Sequence, residues 1–255
     1  MSKYIQVRNI KIGDGIPKIC VPIMGATKED ILRAAKGLSG HSYDLVEWRT
    51  DCYDDVFKND EVLTVLTELR KILTDCPILF TFRTAAEGGE KSITPERYKD
   101  LLMTVCNSKL ADIVDVEIFL DDSVIIDIFN KAKEANVYTI ASNHDFKATP
   151  DKEEIISRLH KMHDMGADIL KIAVMPNCKS DVLTLLSATV EANEQMHDAC
   201  LVTISMGAEG LISRICGEFS GSSITFGAVG KTSAPGQIDS NELSNILNTI
   251  TKNRA

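Results

Sequence analysis

The sequence of 255 residues contains no apolar run of the roughly 18 to 20 residues that a membrane-spanning helix requires. Its first residues, MSKYIQVRNIKIGDG, lack the apolar segment and the cleavage site of a secretory signal peptide. The seven cysteines occur singly and form no C-x-x-C pair, which is typical of reduced thiols and not of a zinc ribbon or a disulfide framework. These absences predict a cytoplasmic protein that does not interact with membranes.

Positive charge is also in deficit. The chain has 28 Lys and Arg against 37 Asp and Glu, a formal net charge of −9. This balance gives no general electrostatic reason to bind nucleic acid, although a few well-placed Arg or Lys side chains could still hold a small anionic substrate. Hydrophobic residues make up 44% of the chain, enough for a sizeable core. No linker rich in Pro, Gly or Ser divides the sequence, which predicts a single domain over residues 1–255.

Short apolar and β-branched runs alternate with segments of helical periodicity along almost the whole chain. The runs cover residues 18–24, 44–49, 77–83, 112–118, 137–142, 168–174, 200–206 and 223–229. Helix start signals occur at Thr27, Thr94-Pro95 and Thr149-Pro150, and Gly166 is a stop signal. Such alternation predicts βαβ units with a parallel sheet. Eight units favour a closed (β/α)₈ TIM barrel over residues 17–255 rather than an open doubly wound sheet.

The first residues follow a different pattern. Two alternating stretches flank Asp14-Gly15, a pair typical of hairpin turns. Residues 1–16 are therefore expected to form a small β-hairpin ahead of the barrel.

Lys171 is the most unusual residue of the predicted strands, because the run DILKIAV places one ammonium in a strand that should be covered on both faces. Burial disfavours the charged form. A neutral amine inside a barrel is what a Schiff-base enzyme needs to attack a carbonyl. The alternative is a structural lysine paired with Glu47 or Glu117.

His144 directly follows the fifth run, where catalytic residues of barrels gather. Its imidazole can exchange protons near neutral pH, and the neighbouring strand carries Lys171. Glu87, in the loop RTAAEGGE, is a candidate for orienting the imidazole. The alternatives are a structural histidine and a solvated loop glutamate.

Arg49, Arg83 and Arg214 are candidates for holding an anionic substrate, since guanidinium groups match carboxylate and phosphate geometry. Each of them could instead form a surface ion pair. The loop GAVGKTSAPGQ, residues 227–237, is rich in small residues and suits a mobile lid over the site.

Two further patterns point away from nucleotide and metal binding. Gly230-Lys231-Thr232 lacks the earlier glycine of a P-loop, because Thr225 occupies that position. His160 and His163 share a helix face without a third ligand nearby and are interpreted as surface residues.

Several short motifs, in order along nearly the full chain, carry a resemblance to the type I 3-dehydroquinate dehydratases. They are EWR at 47–49, FTFR at 80–83, EGGE at 87–90, DVE at 115–117, ASNHD at 141–145, LKIAV at 170–174, SMG at 205–207, SR at 213–214, TFG at 225–227 and SAPGQ at 233–237. The resemblance implies a (β/α)₈ barrel with an N-terminal hairpin, a homodimer, and a reaction without metal or cofactor.

The resemblance also implies a function, the dehydration of 3-dehydroquinate to 3-dehydroshikimate in the shikimate pathway. It implies that Lys171 forms the imine, that His144 removes and returns a proton, and that Glu87 orients the imidazole. The substrate-binding residues that it implies are Arg214 on the carboxylate, Glu47, Arg49 and Arg83 on hydroxyls or in ordering the site, Ser233 and Gln237 in the lid, and Met206 and Phe226 as apolar walls.

Two alternatives come from other functional classes. A class I aldolase or transaldolase would share the buried lysine, but SAPGQ lacks the cluster of backbone amides expected of a phosphate site. A barrel that only binds or scaffolds would not need Lys171, His144 and Glu87 together.

Overall fold

The computed structural model describes residues 4–230 and 232–254. Residues 1–3 of the predicted hairpin segment and Lys231 of the predicted lid lie outside this range. The hairpin is present, with strand β1 (Ile5–Val7) antiparallel to β2 (Ile10–Ile12). Its turn is at residues 8–9 and not at Asp14-Gly15, so the predicted turn position was wrong. This register keeps Val7 and Ile12 on one buried face, and burial of one face fixes strand register more strongly than a turn motif.

Eight parallel strands form the wall of a (β/α)₈ barrel, which confirms the predicted architecture. They are β3 (Lys18–Ile23), β4 (Leu45–Arg49), β5 (Ile78–Thr81), β6 (Ile113–Glu117), β7 (Tyr138–Asp145), β8 (Ile169–Val174), β9 (Cys200–Ser205) and β10 (Ile224–Ala228). Consecutive strands pair from β3 to β9, and β10 pairs with β3. The wall closes between β9 and β10 through the Leu201–Ser222 bridge and a 2.7 Å hydrogen bond from Ser223 N to Leu201 O. A two-residue strand, β11 (Ile238–Asp239), pairs with β10.

Helices follow the strands on the outside of the wall. They are α1 (Lys28–Lys36), α2 (Asn59–Leu73), α3 (Pro95–Ser108), α4 (Asp122–Ala135), α5 (Lys152–Asp164), α6 (Lys179–Gln195), the short α7 (Leu211–Ile215) and α8 (Gly217–Ser220), and α9 (Ser240–Lys252). No helix in residues 4–230 and 232–254 is long and apolar enough to cross a membrane.

The predicted helix starts are confirmed in two cases of three. Thr27 and Thr94 accept hydrogen bonds from the first turns of α1 and α3. Asp151, not Thr149, caps α5, because the Thr149 hydroxyl donates instead to Met175 O across the loop. Gly166 follows the last residues of α5 with φ of +87° and ends the helix, as predicted.

The barrel interior is apolar at its lower end. Inward-facing side chains of successive strands, among them Leu45, Leu79, Ile113 and Ile169, pack together there and are covered by the hairpin. Outward-facing residues pack against the helices. Trp48, for example, is fully buried and contacts Phe80 edge to face. Since the lower interior is filled, a ligand can enter only at the carboxyl ends of the strands.

Candidate active site

Inward-facing positions change from apolar to polar toward the carboxyl ends of the strands, where a cavity of about 100 Å³ opens. The structure brings together at this cavity all the site residues predicted from the sequence, namely Glu47, Arg49, Arg83, Glu87, His144, Lys171, Met206, Arg214, Phe226, Ser233 and Gln237. The sequence reasoning missed several smaller or apolar lining residues, including Phe146 and Ile204. Nothing in their local sequence distinguishes them from ordinary packing residues.

Lys171 lies inside the barrel with 4% of its surface exposed. Its Nζ is 3.6 Å from Asp115 Oδ2 and 4.6 Å from the ring centroid of Phe226. The acidic neighbour is therefore Asp115, and not Glu47 or Glu117 as the structural alternative assumed. Along the hydrogen-bond ladder Lys171 aligns with Glu117, but the strands of such barrels are staggered by about one residue per strand. Asp115 on β6 is two strands away from Lys171 on β8, and the stagger over two strands brings the two residues to the same level of the barrel.

Asp115 is fully buried and held by two donors on one oxygen. Its Oδ1 accepts hydrogen bonds from Ser142 Oγ at 2.6 Å and from Arg83 Nη2 at 2.8 Å. Burial alone would raise the pKa of Asp115, but the charges of Arg83 and Lys171 outweigh it and hold that pKa below its ordinary value. Asp115 Oδ2 has no hydrogen-bond partner among the described residues. A buried carboxylate thus faces the lysine with one free oxygen.

Arg83 is the centre of the buried charge cluster. Besides Asp115, its guanidinium contacts Glu117 Oε1 at 2.8 Å and Glu87 Oε2 at 3.5 Å. Burial favours loss of its proton, but these three carboxylates outweigh burial and raise the pKa of Arg83. Thr84 completes the arrangement by donating from both N and Oγ1 to Glu117. Arg83 is therefore a fixed cation in this cluster.

Two further polar residues on β4 border the cavity. Arg49 forms a two-point ion pair with Asp51, with both N···O distances at 2.9 Å. Against the effect of burial, this pair raises the pKa of Arg49 and lowers that of Asp51. Glu47, 3% exposed, accepts a 2.9 Å hydrogen bond from Thr81 Oγ1. Asp51 was not predicted, because it follows the strand as an ordinary turn residue.

His144 and Glu87 form a close pair. The Nδ1 atom and the backbone N of His144 each lie 2.9 Å from Glu87 Oε2. Burial raises the pKa of Glu87 to about 8, although Arg83 acts in the opposite direction. Burial, together with the positive charges of Arg83, Lys171 and Arg49, lowers the pKa of His144. Because the two groups are in direct contact, their protonation equilibria are linked, and an observed pKa describes the pair and not either residue alone.

Arg214 lies on α7 with 1% of its surface exposed. It donates to Pro235 O at 2.8 Å and to Phe226 O at 3.5 Å, and its Nε has no partner among the described residues. No carboxylate in the described part of the chain pairs with it, and burial lowers its pKa to about 10. A buried guanidinium without a counter-ion at a cavity wall is suited to bind an anion.

Ser233 and Gln237 belong to the loop after β10 and bond to each other. Gln237 Oε1 accepts a hydrogen bond from Ser233 N at 2.8 Å, and Gln237 Nε2 donates to Ser233 Oγ at 2.9 Å. Both side chains border the cavity.

His160 and His163 do not line this cavity. His160 Nε2 is 3.0 Å from Gln195 Oε1, and His163 Nε2 is 3.2 Å from Asp198 Oδ1. Within residues 4–230 and 232–254, no three His, Cys, Asp or Glu side chains are grouped so that they could hold a metal ion.

Comparison with known proteins gives consistent matches over the whole chain. A family model described as type I 3-dehydroquinase matches residues 19–254. A 3-dehydroquinate dehydratase of Clostridioides difficile (strain 630) is 49% identical over 252 residues, which cover 99% of both chains. One of Clostridium botulinum (strain Eklund 17B / Type B) is 49% identical over 253 residues, which cover 99% of this chain and 100% of the relative.

Solved structures agree with these matches. A type I 3-dehydroquinate dehydratase from Clostridium difficile superimposes with a TM-score of 0.96 at 49% identity, covering 99% of this chain and 100% of that one. The enzyme from Geobacillus kaustophilus HTA426 gives a TM-score of 0.95 at 36% identity, covering 98% and 97%. The chain belongs to the type I 3-dehydroquinase family.

Proposed function

We propose that this protein eliminates water from 3-dehydroquinate to give 3-dehydroshikimate through an imine on Lys171. The observation that carries the proposal is that one cavity is lined both by the buried Lys171 and by the His144–Glu87 pair. An amine that can bond to a ketone and an imidazole that can move a proton are the two groups that such an elimination needs. Family membership supplies the substrate class.

In the first step the Lys171 nitrogen bonds to the ketone carbon of the substrate, and the ketone oxygen leaves as water. Starting from the ammonium, this exchange yields a protonated imine with no net change in charge. Asp115, whose free oxygen faces Nζ at 3.6 Å, is the counter-ion for both cationic forms. The cationic imine withdraws electrons and acidifies the C–H bond on the adjacent carbon.

His144 then transfers the proton. When Glu87 is a carboxylate it can only accept, so the proton of the neutral imidazole lies on Nδ1 and Nε2 has a free lone pair. His144 Nε2 takes the proton from the carbon, and the resulting enamine expels the β-hydroxyl, which receives that proton and leaves as water. One water then adds to the carbon of the remaining conjugated imine, and cleavage of the C–N bond releases 3-dehydroshikimate and restores the Lys171 ammonium. When Glu87 is protonated and donates to Nδ1, the imidazole proton lies on Nε2 and His144 cannot act as the base.

The remaining side chains bind and orient the substrate. Arg214 pairs with the substrate carboxylate, because no carboxylate of the described chain pairs with it and its Nε has no partner among the described residues. Met206 and Phe226 form apolar walls, and Ser233 and Gln237 close the cavity as a lid. Substrate hydroxyls are contacted, or the site is kept ordered, by Glu47, Arg49 and Arg83. Thr81 holds Glu47 in place through a hydrogen bond, and Asp51 holds Arg49 through an ion pair.

We further propose that the chain is a single domain and acts as a cytoplasmic homodimer. Support for an interface comes from the consecutive helices α6, α7 and α8, which expose the large apolar side chains of Leu183, Ile212 and Phe219. The seven cysteines are thiols and not disulfides, which suits a reducing compartment. Light scattering coupled to gel filtration tests the dimer, and a monomer at micromolar concentration would refute it.

The reaction is tested by incubating the protein with 3-dehydroquinate and following the conjugated enone absorbance of the product. We expect turnover by the native chain and none by Lys171→Met, a substitution of similar length without the amine. The absence of enone formation by a folded native chain would refute the proposed function. Turnover by Lys171→Met would instead refute the imine.

A further inference from the structure

A chain of polar contacts runs from the outer helix α5 through the barrel wall to the catalytic pair. Arg158 Nη1 donates to Asn143 Oδ1 at 2.8 Å, and Asn143 Nδ2 donates to Glu87 Oε1 at 3.4 Å. Asn143 lies on β7 beside His144 and is 3% exposed. We propose that Arg158 positions the His144–Glu87 pair by fixing which end of the Asn143 amide faces Glu87.

Arg158 is itself held in place on the outside of the barrel. Its Nε donates to Glu154 Oε1 at 2.7 Å, one turn earlier on α5, and its guanidinium lies 5.2 Å from the ring centroid of Phe119. Only 19% of its side-chain surface is exposed. These contacts leave Nη1 directed at Asn143 and make Arg158 more than a mobile surface cation.

The chemistry of the three groups fixes the direction of the amide. An arginine side chain has donors only, so Oδ1 of Asn143 must face it and the NH₂ group faces Glu87. An NH₂ donor favours the ionised form of a carboxyl group, whereas an amide oxygen in its place favours the protonated form. Without Arg158, only the ionised Glu87 carboxylate would hold the NH₂ group toward it, and the amide could turn its oxygen to accept from Glu87 once that carboxyl group is protonated.

The charges around Glu87 make this local choice important. Arg83 follows β5, Asp115 and Glu117 face it from β6, and His144 contacts it from β7. Lys171 and Arg49 act on the same pair through His144. Burial raises the pKa of Glu87 to about 8, and the Asn143 hydrogen bond opposes that rise. A change at Asn143 therefore alters the protonation of the pair close to neutral pH.

The consequence, which rests on the proposed function, is that Arg158 helps to set the pH above which His144 becomes a base. Arg158 is a positioning residue, since it touches neither the cavity nor the reacting atoms. In the variant Arg158→Met, which keeps the apolar stem and loses the donors, the acid limb of kcat should move upward by about 0.5 to 1 pH unit. Activity below the limb should then fall by about three- to tenfold, with the alkaline plateau and KM retained.

Two further variants separate this role from a general effect of charge. Arg158→Lys keeps a cation that has only donors, so its acid limb should lie close to the native pH position. Lys161→Met is the matched control, because it removes a cation from the same helix, where Lys161 pairs with Asp122 at 2.9 Å on the surface. It should leave the limb in place.

The decisive comparison repeats Arg158→Met in an Asn143→Ala background. We expect no additional shift there, since the amide that Arg158 orients is gone. A shift of the same size in both backgrounds, or no shift in the native background, would overturn the proposal. The pH titration of the His144 ¹⁵N resonances in the substrate-free protein measures the same change without turnover. It therefore tests the positioning role even if the native chain does not dehydrate 3-dehydroquinate.

Discussion

A substitution at Arg214 should affect substrate binding much more than folding stability, because Arg214 is a buried cation with no carboxylate partner in the described chain. Burial lowers its pKa from the ordinary arginine value to about 10, which corresponds to about 3 kcal/mol against the charged form in the folded state. Since the folded-state pKa lies below the unfolded value, this penalty is fully present below about pH 10 and is relieved as pH rises from there toward the pKa of arginine in the unfolded chain.

Replacing Arg214 by Met removes that penalty and also removes the hydrogen bonds to Pro235 O and Phe226 O. Two such bonds contribute about 1 kcal/mol each, so the two effects nearly offset and the free energy of unfolding should change by about 1 kcal/mol or less. The substrate carboxylate loses its buried partner, which weakens binding by about 2 kcal/mol or more, or at least about 30-fold.

The assay combines urea unfolding with calorimetric titration of 3-dehydroquinate, both in a Lys171→Met background so that no imine forms. Arg214→Lys is the control, because it keeps the charge but not the two-point geometry, and we expect intermediate affinity. A loss of several kcal/mol of stability together with unchanged affinity would show that Arg214 is structural and would refute this reasoning.

Three other perturbations test the remaining roles. His144→Ala should still accumulate a borohydride-trapped imine while kcat falls by about 100-fold or more, and near-native turnover would remove His144 from proton transfer. Glu87→Gln should lower kcat and move the acid limb of the pH-rate profile to lower pH. The reason is that the carboxyl group whose pKa of about 8 controls the His144–Glu87 pair is gone, and an unmoved limb would contradict this. Gln237→Ala should raise KM with little change in Tm, since its partner Ser233 lies at the cavity mouth; a lowered Tm with unchanged KM would assign it a folding role.

The sequence predicted the barrel well because its signals are repeated. Eight buried strands alternate with helices, and each misplaced end, such as the start of α5 at Asp151, leaves the count intact. The hairpin turn was placed wrongly because Asp14-Gly15 is a strong local motif, whereas the actual register depends on Val7 and Ile12 reaching the barrel floor. That information is tertiary and is not contained in the turn.

The site was predictable where a residue is chemically out of place and unpredictable where its role depends on a neighbour. Lys171 stands out as one ammonium in an apolar strand. Asp115 belongs to the DVE motif, but its approach to Lys171 depends on strand stagger, which local sequence does not reveal. The same limit applies to Arg158, whose link to Asn143 crosses from a helix to a strand.

The central claim is that Lys171 forms a covalent imine with the substrate. Borohydride added during turnover of 3-dehydroquinate should reduce that imine to a stable secondary amine, and peptide mass analysis should locate the added mass on Lys171. An unmodified Lys171 peptide in a sample that is turning over would contradict the account.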